Sequence, residues 1–266
     1  MPDSLFSVAN QVVLVSGGSR GIGRAIADGF AQRSARVIIT GRDSESLHQT
    51  AAELSAGSEF PVIPMVCDVA CPKQIEILVE KVVEACGQID TLINVAGVNR
   101  RKPALEVTEE DYDFVMDINL KGAFLLSKAV CRVMVEQESG SQINIASLNS
   151  DRPFNDVLPY AMSKMGMSTM TRVLAIEWGP LGVRVNALAP GFILTDLTKK
   201  LWANQELQEW GLTNTPLQRM GQPEDMVGTA VFLASEASRF MTGQVLFVDG
   251  GFTAGRNWPI PAGGGQ

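Results

Sequence analysis

Tyr160 and Lys164 stand four residues apart in a stretch of helical pattern, so they share one helix face. An ammonium beside a phenol stabilises the phenolate, which predicts a pKa lowered from about 10 into the range of acid–base work. Ser147 directly follows the apolar run Ile143-Asn144-Ile145-Ala146. A hydroxyl at the end of a buried strand can hydrogen-bond an oxygen that gains or loses charge in a reaction. Arg100, Arg101 and Lys102 are three consecutive cations that could grip a carboxylate by paired hydrogen bonds. The run reads equally as a solvated loop or a subunit contact. A Tyr-xxx-Lys pair is common on helices, and Ser147 could be a turn residue. Their weight rests on the elements around them.

Other chemistries have less to draw on. The single histidine, His48, lies in the polar stretch 44–56, so a Ser-His-acid triad or a multi-histidine zinc site would need that one residue. Cys67, Cys71, Cys86 and Cys131 show no CxxC pairing and no disulfide-framework density. They read as buried free thiols in a reducing cytoplasm. No metal site is expected. The net charge of −7 disfavours wholesale attraction to nucleic-acid phosphates or anionic membranes. The opening Met-Pro-Asp-Ser lacks a basic segment followed by an apolar one, and the richest apolar stretch, 123–135, is broken by Lys128 and Arg132. These features predict a soluble cytoplasmic protein with a small-molecule partner, no nucleic acid and no membrane.

The elements that would position these residues alternate along the chain. Apolar, β-branched runs at 12–16, 37–40, 62–67, 91–94, 142–146, 183–187 and 245–248 read as parallel strands covered on both faces. Helical patterns fall at 23–33, 44–56, 72–86, 109–138, 159–177 and 223–235, the last opened by Pro223 and two acids. This rhythm predicts α/β architecture: a single doubly wound Rossmann-type domain over 1–266, with a seven-stranded parallel sheet flanked by helices on both faces. The polar segment 195–221, with Trp202 and Trp210, reads as an inserted lid. The glycine- and proline-rich tail 255–266 reads as flexible or docked on a neighbouring subunit.

The first strand runs straight into Ser16-Gly17-Gly18-Ser19-Arg20-Gly21-Ile22-Gly23. Gly17, Gly21 and Gly23 let the backbone turn tightly and approach a pyrophosphate, with the following helix N-terminus supplying N–H groups and positive dipole. The second strand ends at Thr40-Gly41-Arg42, where a nucleotide fold reads the adenosine ribose. Arg42 and Arg20 converging there favour a 2′-phosphate, hence NADP(H) over NAD(H). Asp43 is a carboxylate nearby, but its position predicts an N-cap for the next helix. Asp68 and Val69 end the third strand, and Asn94-Val95-Ala96-Gly97 end the fourth, where small residues leave room for adenine and ribose. Taken alone, Asp68 could instead cap the helix near Pro72.

Gly17-xxx-Gly21-x-Gly23, Asn94-x-Ala96-Gly97, Asn119, Ser147, Tyr160-xxx-Lys164 and Pro190-Gly191 resemble, in order and spacing, the short-chain dehydrogenase/reductase family. Two positions depart from its pattern: Ser16 where Thr is usual, and Val95 where a second Asn is usual. The resemblance implies an NADP(H)-dependent oxidoreductase that exchanges a secondary alcohol with a ketone by hydride transfer. It gives Tyr160 the general acid/base role and Ser147 the orienting of substrate. Lys164 would bond the nicotinamide ribose and tune Tyr160, and Asn119 would hold a relay water. Ile193 would clamp the carboxamide, and Thr195 would reach the cofactor phosphates. The family also pairs the helices at 109–138 and 159–177 in dimers and tetramers, and both are apolar on more than one face, so a homotetramer is expected. The Arg100–Lys102 run and the pattern Trp210…Thr215-Pro216…Arg219-Met220-Gly221 look similar to the gluconate 5-dehydrogenase branch. That likeness implies a sugar-acid or polyhydroxy substrate, touching Ser147, Tyr160, Arg100, Arg101 and Trp202. Two alternatives stand beside it: a reductase of 3-oxoacyl thioesters or small apolar ketones, and a catalytically idle NADP(H)-binding sensor.

Overall fold

Short runs of β-branched and aliphatic residues form strands here because helices cover both of their faces. The computed structural model describes residues 4–196 and 198–255. Strands β1 (Val12–Ser16), β2 (Arg36–Gly41), β3 (Ile63–Val66), β4 (Thr91–Asn94), β5 (Gly140–Ile145), β6 (Val183–Pro190) and β7 (Val245–Val248) make one sheet. Every pairing is parallel, in the order β3-β2-β1-β4-β5-β6-β7. The order reverses between β1 and β4, and a crevice opens at the carboxyl ends of strands at such a point. The expected doubly wound, seven-stranded sheet is thus the fold.

The helices are α1 (Gly21–Ala31), α2 (Ser44–Ser55), α3 (Pro72–Cys86), α4 (Glu109–Met116), α5 (Ala123–Glu136), α6 (Leu158–Trp178), α7 (Lys199–Trp202), α8 (Gln205–Asn214) and α9 (Val227–Ala234). The two-residue period of the strands deals side chains to two cores. Val13, Val15 and Ile39 meet Ile26 and Phe30 of α1 and Leu233 of α9. On the opposite face Leu14, Ile38 and Leu92 meet Leu78 of α3, Leu126 and Met134 of α5 and Leu174 of α6. Full burial of each such side chain contributes about 1.5–3 kcal/mol.

Two local outcomes matter for the site. The span 109–138, expected as one helix, is α4, a π-helical stretch Asp117–Gly122, and then α5. The widened turn contains Asn119, whose side chain bonds Val98, and it ends at Gly122, where a Cβ would sit 2.7 Å from the Val69 carbonyl oxygen. Segment 195–221 holds α7 and α8, with Asn204 capping α8 through the Leu207 N–H. Of the tail 255–266 only Gly255 is among the described residues. No helix of the described residues is long and apolar enough to cross a membrane.

Candidate active site

The glycine loop joins β1 to α1, so its backbone meets the carboxyl edge of the sheet at the β1/β4 reversal. Gly17 has φ +75° and sits against β4, where a Cβ would lie 2.8 Å from the Ala96 nitrogen. At Gly23 a Cβ would strike the Gly17 carbonyl. Gly21 faces the Thr195 side chain across a gap that a Cβ would partly fill, at 3.5 Å. These glycines leave a backbone-lined cradle between the loop and the segment after β6, which fits a pyrophosphate. Arg20 and Arg42 are exposed and form no ion pair among the described residues. Asp43 is turned away from them: its carboxylate accepts the Ser46 N–H at 2.7 Å as the α2 N-cap, as the sequence predicts. That bond also holds its pKa below the usual carboxylate value.

Asp68 does not cap α3, whose N-cap is Cys71; its carboxylate accepts the Ala70 N–H in its own turn. Val69 is buried in the core beside it. Asn94 commits its amide nitrogen to Ser127 Oγ and Asn144 Oδ1, each at 2.9 Å. Through that nitrogen Asn94 ties β4 to β5 and α5, its register partner being another asparagine. Ala96 and Gly97 keep the crevice open, and a Cβ at Gly97 would lie 3.5 Å from Asn119 Oδ1 and 3.7 Å from Lys164 Nζ.

The four residues expected to do chemistry meet at this edge. Ser147 follows β5, Tyr160 and Lys164 lie one turn apart on α6, and Asn119 reaches in from the π-helical stretch. Asn119 accepts from the Val98 N–H at 2.8 Å, and its Nδ2 donates to the Val98 carbonyl at 2.9 Å and to Ser163 Oγ at 3.1 Å. Lys164 is buried and donates to the Ile145 carbonyl at 2.6 Å, with its Nζ 5.8 Å from the Tyr160 ring centroid. Burial pushes its pKa down to about 8. The Tyr160 pKa is raised rather than lowered, because burial outweighs two opposing influences, a hydrogen bond with Ser147 and the charge of Arg101. The helix spacing alone predicts the reverse; the ammonium here is turned to the β5 carbonyl instead of the phenol.

The three-cation run separates into different parts. Arg100 pairs with Asp111 at 2.9 Å and Glu110 at 3.3 Å, and its guanidinium covers the Phe114 ring at 4.1 Å. Lys102 pairs with the same Asp111. Asp111 also closes the Thr108 capping box of α4, and its partners hold its pKa well below the usual carboxylate range. Arg100 is therefore tied to the scaffold of α4 through Asp111. Arg101 is exposed, has no hydrogen bond or ion pair among the described residues, and is the member of the run whose charge reaches Tyr160.

Beyond β6, Ile193 and Thr195 are joined by a residue the sequence reading did not single out. The Thr198 hydroxyl donates to the Ile193 carbonyl at 2.6 Å and accepts the Thr195 N–H at 3.0 Å. Trp202 is buried, edge-on to Phe192 at 4.9 Å, and its indole N–H has no partner among the described residues. Pro190 and Gly191 pack at the β6 end, where a Cβ on Gly191 would lie 2.6 Å from the Asp249 Cα. A second missed residue is Asn149, 8% exposed, whose backbone and side-chain nitrogens both donate to Ser147 Oγ, at 3.2 and 3.3 Å. Its signal in the sequence was only an amide two positions after the serine.

A Rossmann sheet with a glycine loop at its reversal, and Ser, Tyr, Lys and Asn converging beside it, defines a nucleotide-dependent oxidoreductase of the short-chain type. The family profile described as enoyl-(acyl carrier protein) reductase matches residues 17–253. The chain is 39% identical over 252 residues to gluconate 5-dehydrogenase of Gluconobacter oxydans, covering 95% of this chain and 98% of that one. It is also 39% identical over 241 residues to 3-oxoacyl-[acyl-carrier-protein] reductase of Thermotoga maritima, covering 91% and 97%. The crystal structure of a gluconate 5-dehydrogenase from Burkholderia cenocepacia, in complex with NADP and tartrate, superposes with a TM-score of 0.91 at 34% identity, over 95% of this chain and 98% of that one. The chain belongs to the short-chain dehydrogenase/reductase family and is an alcohol/ketone oxidoreductase acting on CH–OH groups.

Proposed function

We propose that the enzyme uses NADP(H) to interconvert a secondary alcohol and a ketone on a sugar acid or polyhydroxy substrate. The observation that carries the substrate reading is Arg101, an exposed guanidinium with no partner among the described residues and near enough to Tyr160 to affect its titration. A carboxylate held there would place a neighbouring carbonyl within reach of the phenol. Trp202, whose buried indole N–H lacks a partner among the described residues, offers a donor to a polyol hydroxyl. The names of the Gluconobacter and Burkholderia relatives and the latter's NADP complex support the same reading.

The residues fit the cofactor. Gly17, Ser19, Gly21, Ile22 and Gly23 would cradle the pyrophosphate, Arg20 and Arg42 the 2′-phosphate, and Asp68, Val69, Ala96 and Gly97 the adenosine end. Ile193 and Thr195 would hold the carboxamide and phosphates, and Pro190 and Gly191 would shape that turn. When bound, the dinucleotide supplies or accepts the hydride. The protein's part is the proton and the oxygen. Tyr160 Oη gives a proton to the oxygen that becomes an alcohol, or takes it back in the reverse direction. Ser147 Oγ–H bonds the same oxygen and stabilises its developing charge. Lys164 would bond the ribose and Asn119 would keep a relay water, so that protons leave towards solvent. Segment 195–221 would close over the substrate as a lid.

A 3-oxoacyl thioester is the second reading, favoured by the equal identity to the Thermotoga reductase. Exposed Phe124, Met162, Met165, Val173 and Ile176 on α5 and α6 support a homotetramer built on these helices. The four free thiols support a reducing cytoplasm. The substrate test compares 5-keto-D-gluconate with acetoacetyl thioesters and neutral aromatic ketones, using Arg101→Ala and Arg100→Ala. We expect Arg101→Ala to raise KM for the keto-acid about 10- to 100-fold and leave neutral ketones unaffected, as loss of a charge-assisted pair does. Equal KM values for keto-acid and neutral ketone in wild type and Arg101→Ala contradict the carboxylate reading.

A further inference from the structure

Ser147 Oγ carries one proton and two lone pairs. The Asn149 backbone N–H occupies one lone pair at 3.2 Å, and Asn149 Nδ2 occupies the other at 3.3 Å. The orientation of that amide is not arbitrary, because Asn149 Oδ1 accepts the Phe154 N–H at 3.2 Å, and a backbone N–H can only donate. Phe154 is itself held among aromatic rings, against Phe192 at 5.9 Å, Trp210 at 5.9 Å and Phe252 at 5.8 Å. Ser147 and Asn149 are both more than nine-tenths buried, so water does not compete freely for these bonds.

We propose that Asn149 is a positioning residue that fixes Ser147 as a hydrogen-bond donor towards Tyr160 and the substrate oxygen. With both lone pairs filled, the serine hydroxyl cannot accept a hydrogen bond from the phenol or from a substrate alcohol. Its own proton must point outward. A donor of fixed direction favours a substrate oxygen that carries negative charge, which is the transition-state form, over a neutral one. It also favours the phenolate of Tyr160 over the phenol. The inference rests on the catalytic roles proposed above for Ser147 and Tyr160.

Two substitutions separate this role from a structural one. Asn149→Asp keeps the size and an oxygen for the Phe154 N–H, but offers Ser147 only acceptors, so the hydroxyl turns inward. Asn149→Ala removes the amide and frees one lone pair. The backbone N–H still donates in both. The test is turnover of 5-keto-D-gluconate with NADPH, and of gluconate with NADP, by wild type and both variants, each also on a Ser147→Ala background. Loss of a fixed donor predicts kcat lower by about 10-fold in Asn149→Ala and about 100-fold in Asn149→Asp, with KM nearly unchanged. In the oxidation direction the pH profile of Asn149→Asp shifts upward, since the phenolate has lost its donor and faces the added carboxylate, while Arg101 and Lys164 are unchanged. On the Ser147→Ala background the difference between the two variants shrinks to what the added carboxylate charge alone contributes. Asn149→Ala more damaged than Asn149→Asp, or the same difference persisting without the serine hydroxyl, overturns the proposal. Wild-type turnover that survives in Tyr160→Phe, or no wild-type turnover on either substrate, overturns the underlying catalytic reading and the inference with it.

Discussion

Lys164 shows at the residue scale what burying an ammonium costs the fold. Its ammonium is buried with one carbonyl partner, and its pKa falls to about 8 from 10.5. Below pH 8 both folded and unfolded chains carry that proton, and the folded chain bears the penalty of burying it. Between about 8 and 10.5 only the unfolded chain binds it, so this group makes stability rise with pH across that window. Lys164→Met is therefore expected to raise stability near neutral pH by on the order of 3 kcal/mol, to lose the alkaline gain, and to abolish turnover. Thermal melts of both proteins at pH 7 and pH 10 check this; a variant less stable at pH 7 contradicts it. The pair Tyr160 and Lys164 was legible from its spacing once the glycine loop, Asn119 and Ser147 stood beside it, but its titration was not. Direction depends on what else each group faces, here a β5 carbonyl and a serine hydroxyl, neither of which sequence distance reveals. Arg100 and Arg101 were likewise indistinguishable as neighbours, because the residue that separates them, Asp111, arrives with α4.

At the scale of elements, the seven strands were legible because strands covered on both faces read as apolar runs, and β1, β4 and β7 fall where the pattern puts them. The break in 109–138 was not, since apolar spacing continues smoothly through it while tertiary bonds to Val98 impose the wider turn. Asn119 thus combines a helix irregularity with a place at the site, and π-helical turns are frequent at functional positions. Gly122 ends that turn against the Val69 carbonyl. In the glycine loop the constraint is tighter still. Gly23→Ala would drive a Cβ into the Gly17 carbonyl, and we expect it to weaken NADPH binding at least about tenfold by disordering the loop. Fluorescence titration of NADPH checks this; unchanged affinity means the loop does not hold the cofactor as proposed.

At the scale of the whole molecule, the helices that position the site also expose apolar side chains. Among the apolar residues of α5 and α6, Val130, Met134, Met167 and Leu174 are buried, whereas Phe124 and Met165 face outward. This division is why those helices read as apolar on more than one face. A tetramer in light scattering at micromolar concentration is expected, and Met165→Glu combined with Ile176→Glu should shift it to smaller species; a wild-type monomer contradicts the assembly. The central claim concerns chemistry, and one measurement addresses it most directly: nicotinamide oxidation by the purified protein with NADPH and NADH side by side, against 5-keto-D-gluconate, with Tyr160→Phe in parallel. The account predicts turnover that prefers NADPH and disappears in Tyr160→Phe. Equal or greater turnover with NADH would contradict the assignment of Arg20 and Arg42, and turnover persisting in Tyr160→Phe would contradict the role given to the phenol.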